Sequence, residues 1–224
     1  MPEGLINING ESVQTLEVLF LTTLITLLPS VLVMTTSFTR YIISFSFLRV
    51  ALGTQQTPPN VVLIGIALFL TLFTMNPVLT QIQQEAYEPY MAEQISQEEF
   101  IERAQVPMKE FMVRNTKPGT LEMFCDLADW EMPEQVSVQT ISSELPLRII
   151  VPAFMTCELQ RAFEIGFLLF LPFMLIDIVV SATLMSMGMI MLPPSMIAMP
   201  FKLLLFVTLN GWELLFSSLI QGFQ

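Results

Sequence analysis

The chain has 224 residues, of which 53% are hydrophobic and only 13% charged. A soluble domain carries about a quarter charged residues, so this composition points away from a freely soluble protein and toward a membrane or an apolar assembly. The net charge of −11 sets aside nucleic acid and anionic lipid headgroups as partners. The complete lack of histidine removes the commonest general base and metal ligand.

The N-terminal stretch "MPEGLINING" has neither a basic n-region nor an apolar h-region, so it does not read as a signal peptide. Val18 to Thr39 is free of charge and long enough for a helix to cross a hydrocarbon core of about 30 Å. Pro29 lies inside it and is expected to kink it. Helical spacing continues through Ile42, Phe45 and Leu48, with Gly53 as the stop. "TQQTPPN" reads as a turn whose Pro58 and Pro59 open the next helix. Ala51 to Gln84 is again uncharged, and Val61 to Thr80 forms a second span.

Composition then shifts. From Glu85 to Arg148 there are 13 acids and 5 bases. This water-exposed insert reads as short helices packed into a small subdomain. Ser96 with Glu99 gives a capping signal, Pro107 is placed to open "MKEFMVRN", and Thr120 to cap "LEMFCDLADW". Leu121, Phe124 and Ala128 mark an apolar face on the last piece. Cys125 and Cys157 are too few and too irregular for a disulfide framework or a zinc site, and whether they pair is open.

A third helix is expected from near Pro152, interrupted by Pro172 and Asp177, and a fourth from about Pro200 to the end. Glu158, Arg161, Glu164, Asp177, Lys202 and Glu213 lie in or beside this pair. Charges at membrane depth face protein or water and take partners. Arg161 has the spacing to bridge Glu158 or Glu164. Lys202 has no local partner, so Asp177 or Glu158, in the same chain or a neighbour, is the expected one; otherwise it snorkels to an interface. Arg40 and Arg49, beside the first turn, place that turn in the cytoplasm and the insert and both termini outside. The result is an all-α fold of integral-membrane-like hairpins: residues 1–84 as N-terminal segment and first hairpin, 85–150 as acidic insert, 151–224 as second hairpin.

"MSMGMIMLPP" sets Met185, Met187, Met189 and Met191 at alternate positions in the loop between the last two helices, among 16 methionines in all. Three readings compete. Thioethers suit Cu(I), as in a small ion or soft-metal transporter, but the usual His or Cys is missing nearby. Core packing is the plain reading. A deformable seal is the third, because Met is flexible and polarizable and repacks against irregular shapes. Gly188 and the Pro193-Pro194 pair hold the loop off helical geometry. Of the three, the seal explains the pattern best.

"TSFTRYIISFSFLRVALGTQQTPPN", "LIGIALFLTLFTMNPV", "LPFMLIDIVVSATLMSMGMIMLPP" and "PFKLLLFVTLNGWELL" resemble the FliP family of flagellar type III export proteins, whose superfamily includes the R subunit of virulence injectisomes. The resemblance covers nearly the whole chain and implies no enzymatic role and no cofactor. It implies a homopentamer in the inner membrane and flagellar basal body, joined to FliQ and FliR and working with FlhA and FlhB, through which unfolded flagellar polypeptides pass. It also implies a helical bundle raised toward the periplasm, which would account for the charged second hairpin. Family members often carry a cleaved signal peptide, and this chain begins where a mature one would. The family's methionine-rich constriction falls on Met187, Met189, Ile190 and Met191 of a pore loop at about 185–195 that also holds Met185 and Gly188. Ile190 stands where the family commonly has Met.

Overall fold

The computed structural model describes residues 5–8, 11–133, 137–189 and 191–223. It is helical apart from an N-terminal antiparallel hairpin that the sequence reading did not anticipate. Its strands are β1 (Leu5–Ile8) and β2 (Glu11–Gln14), with Leu5 opposite Gln14.

Helix α1 (Thr15–Thr35) does not run on into the next segment. The hydroxyls of Thr35 and Thr36 bond back to the Val31 and Leu32 carbonyls, and Thr39 Oγ1 donates to Val33 O at 2.8 Å. Such side-chain bonds compete with the backbone ladder, and α2 (Phe38–Leu52) starts afresh, ending on left-handed Gly53. α3 (Asn60–Ile82) continues through a π-helical turn at Gln83–Tyr87 into α4 (Glu88–Met91).

The insert then folds as α5 (Gln97–Arg114), α6 (Pro118–Leu127) and α7 (Val138–Glu144). Ser96 caps α5 by accepting from the Glu99 amide at 3.2 Å. Pro107 is buried inside α5 instead of opening a helix. Pro118 opens α6 in place of Thr120, because a first-turn amide has no partner to lose. On α6 the buried face is Leu121 and Cys125, with Phe124 partly covered, whereas Ala128 is exposed at the C-cap. Both cysteines are buried free thiols. Burial, then Asp126 and Glu122, pushes the Cys125 thiol up from its ordinary range.

α8 (Leu147–Ser186) starts earlier than Pro152, with extended Pro146 at its N-cap. Its 40 residues make it about 60 Å long, twice a hydrocarbon core of about 30 Å. Its first turns, Ile149 to Phe154, join Phe111, Leu121 and Leu145 in the insert's core. Its middle joins Tyr41, Phe45, Leu63, Phe206 and Leu219 in a second core. The Phe47 ring of α2 lies on α8 at Gly166, where a Cβ would meet it at 2.4 Å, flanked by Phe163 and Phe170. The last hairpin is closed by α9 (Pro194–Thr208) and α10 (Gly211–Gln221), which meet at a 65° bend instead of forming one helix.

Val18–Thr35, Asn60–Met91 and Leu147–Ser186 are long and apolar enough to cross a membrane, and the bent α9–α10 pair makes a fourth. Most apolar side chains of α1 from Leu19 to Met34 are exposed. A single copy therefore leaves a large apolar surface to be covered.

Candidate functional site: a methionine loop on a charge-braced hairpin

α8 ends in a Schellman turn. The Gly188 amide donates to Met185 O and the Met189 amide to Leu184 O, both at 3.0 Å. Gly188 has φ +76°, which a Cβ would strain. On the other side of the loop, extended Pro193 leads into Pro194 at the first position of α9. Both ends of the loop are thus fixed by backbone chemistry. The methionines are not packed: Met185 in the last turn of α8, Met187 at its C-cap, and Met189 and Met191 in the loop are 64%, 65%, 38% and 98% exposed. Ile190 lies outside the described residues. The core-packing reading of these side chains does not hold within this chain.

Below the loop, Lys202 Nζ sits 2.6 Å from Asp177 Oδ2 and donates to Ala51 O at 3.0 Å. Lys202 is buried, while the Asp177 side chain is 41% exposed. The Ala51 carbonyl belongs to the last turn of α2, where carbonyls lack helical partners and a cation is favourable. Lys202 therefore brings together α8, α9 and the end of α2, and it does not snorkel. Glu158, the other acid considered for it, is bound elsewhere.

That second pair was missed in the sequence. Arg40 is buried in the first turn of α2, not beside the turn between α2 and α3. Its Nε and Nη2 reach the two Glu158 oxygens at 2.7 and 2.5 Å, a bidentate pair. Its Nη1 donates to Gly222 O at 2.9 Å, and its guanidinium lies 3.4 Å over the Phe223 ring. Arg161 adds a longer contact to Glu158 at 3.6 Å and one to Asn115 at 3.4 Å. Glu164 is exposed and accepts from Gln160. The available signal was Arg40 itself, one of only two charges between Val18 and Gln84. With Arg40 internal, Arg49 alone remains as the basic residue beside the first turn, and it donates to Asn60 at 2.5 Å.

The hairpin carrying this loop lies within a match to the FliP family over residues 21–219. The chain belongs to the FliP family. A flagellar biosynthetic protein FliP of Pectobacterium carotovorum subsp. carotovorum is 51% identical over 212 residues, spanning 95% of this chain and 79% of the relative. Those of Aquifex aeolicus and Bacillus subtilis are each 47% identical, over 96% and 93% of this chain and 88% and 92% of their own length. Family membership makes this chain a membrane component of the flagellar export apparatus and not an enzyme, so the small ion or metal transporter reading gives way.

The lysine yields a direct expectation. Lys202→Met leaves the Ala51 carbonyl unpaired in a buried helix end, a cost of about 1–3 kcal/mol, and leaves Asp177 without its cation. Motility on soft agar should fall markedly, with part of the loss recovered by Asp177→Asn in the same chain. A silent Lys202→Met would show that the bridge contributes nothing to assembly or export.

Proposed function

We propose that this chain is the pore-forming subunit of the flagellar export gate, assembling as a homopentamer with FliQ and FliR and working with FlhA and FlhB. Unfolded flagellar polypeptides pass through the ring, and the methionine loops from all copies close around the passage. The insert and both termini face the periplasm, and the four helical segments form a bundle at the bacterial inner membrane within the basal body. The observation that carries this reading is the loop itself. Four exposed methionines run from the last turn of α8 through a loop fixed at both ends, at the tip of a long hairpin. Thioether side chains there can exclude water when the passage is empty and repack around a chain that enters. A copper role has little support, because Cys157 lies on α8 about 45 Å along the helix from Met187. The apolar surface of α1 and the outer faces of α3 and α8 supply area for neighbouring subunits.

Native mass spectrometry of the protein purified in mild detergent with its co-purifying partners tests the assembly. The expected result is a ring of identical copies with the smaller subunits attached. A dominant, well-behaved monomer overturns it.

A further inference from the structure

The last hairpin is interrupted twice at one level. Within α8, Pro172 removes an amide that would have bonded to the Leu168 carbonyl. Opposite it, α9 and α10 meet at their 65° bend. The Phe173 and Phe206 rings lie 6.5 Å apart between centroids, which sets the two interruptions side by side.

The second interruption is held by chemistry at each position. The Leu209 amide bonds to Leu205 O and the Asn210 amide to Val207 O, ending α9. Asn210 then turns left-handed, with φ 50° and ψ 47°, a conformation asparagine tolerates better than most residues. Its carbonyl accepts from Leu214 and so begins α10. At Gly211 a Cβ would come within 2.2 Å of the Phe206 ring, which Phe173 and Trp212 flank.

The two sides of this turn are anchored unequally. α10 and the residues after it are fixed on α2 through Arg40 to Gly222 O, Phe45 against Phe216 and Tyr41 against Phe223. The arm from Phe173 to Leu209 is packed at its base, where Phe173, Ile176, Leu205 and Phe206 join the core on α2, and overhangs beyond it. α2 ends beside Lys202 and Asp177, and about 14 Å of α8 project beyond that level to the methionine loop. Among the described residues, the only side-chain hydrogen bond from the arm to the rest of the molecule is Lys202 Nζ to Ala51 O, at 3.0 Å. The partner charge, Asp177, belongs to the arm. Swinging the arm breaks a bond to a neutral carbonyl and shifts the apolar contacts at its base, but among the described residues it separates no ion pair.

We propose that Pro172 and the Asn210–Gly211 turn form a paired hinge, about which the arm swings to widen the passage while α10 stays seated on α2. This rests on the gate reading above and adds where the gate bends. The test uses the assembled complex, with labelled subunits diluted so that most rings carry one. Spin labels are placed at Val50→Cys with Met196→Cys on the arm, or at Val50→Cys with Leu214→Cys on α10. All three positions are exposed, whereas Cys125 and Cys157 are buried. Distances are measured with the passage empty and with an export substrate stalled in it, the substrate carrying a photo-crosslinking residue that reports contact with the loop. The expected result is a cross-link, a Val50–Met196 distribution shifted to longer distances, and an unchanged Val50–Leu214 distribution. A cross-link with neither distance altered, or with both altered alike, overturns the hinge and leaves the gate standing. Absence of any cross-link to the loop overturns the gate reading and the hinge with it.

Discussion

Replacing Glu158 with Leu is expected to abolish motility by removing the protein, not by blocking the passage. Glu158 and Arg40 are both almost fully buried and meet through two short bonds, at 2.5 and 2.7 Å. Without the carboxylate, Arg40 keeps, among the described residues, the Gly222 carbonyl and the Phe223 ring as close partners. Removing one member of a buried pair costs about 3–5 kcal/mol, since the other charge is left uncompensated. That is a large share of the roughly 5–15 kcal/mol that holds a typical domain together. The consequence also spreads, because Arg40 ties α2 to α8 and to the end of α10 at once. Glu158→Gln, which keeps an acceptor but loses the charge, should fall between the two. Replacing both partners, Arg40→Met with Glu158→Leu, should recover part of the loss, since apolar substitutes for a whole buried pair are often neutral or better. Protease resistance in isolated membranes and swimming on soft agar give the readouts. If the double variant is as poor as the worse single one, the loss comes from packing and not from a stranded charge.

That pair also marks where the sequence stopped being legible. Long uncharged stretches identify the apolar segments by composition alone, and four motifs in the right order carry the family. Local chemistry decides boundaries less clearly. Pro107, Pro152 and Pro172 all lie inside helices, because a proline removes one backbone bond while the bonds on either side of it carry the helix on. Asn210–Gly211 does end one, although the run from Leu203 to Trp212 reads as continuous apolar helix. The break depends on the Phe206 ring folding back over Gly211, a contact that no spacing rule foresees. Arg40 was misplaced for a similar reason. Beside a turn, a basic residue reads as a topology signal, and only the fold brings Glu158, far along the chain, against it. Lys202 was easier, since a lone cation in an apolar helix must find an acid, and the preceding helix offers few.

Truncating the loop methionines is expected to have the opposite character: a leak with the complex intact. Met185, Met187, Met189 and Met191 are all at least 38% exposed, so their side chains hold no core together. Surface changes of this kind usually stay within about 0.5 kcal/mol, so Met187→Ala with Met189→Ala and Met191→Ala should fold and assemble normally. Each change removes a γ-carbon, a sulfur and a methyl from the wall of the passage, and every copy in a ring repeats the loss. The triple variant should therefore admit ions or small solutes that the unaltered protein excludes, slowing growth as well as swimming. The backbone turn is unaffected, because Gly188 and the Pro193-Pro194 pair remain. Met→Leu at the same positions keeps the bulk but stiffens it, so the seal should hold while passage of bulky segments slows. A soft-metal site predicts a different pattern, in which Met→Leu abolishes copper tolerance and no variant leaks. Ion leakage, motility and copper tolerance measured in both series separate the two. Cells of the triple Ala variant that stay tight, with assembly verified by native mass spectrometry, would rule out the methionine loop as the seal.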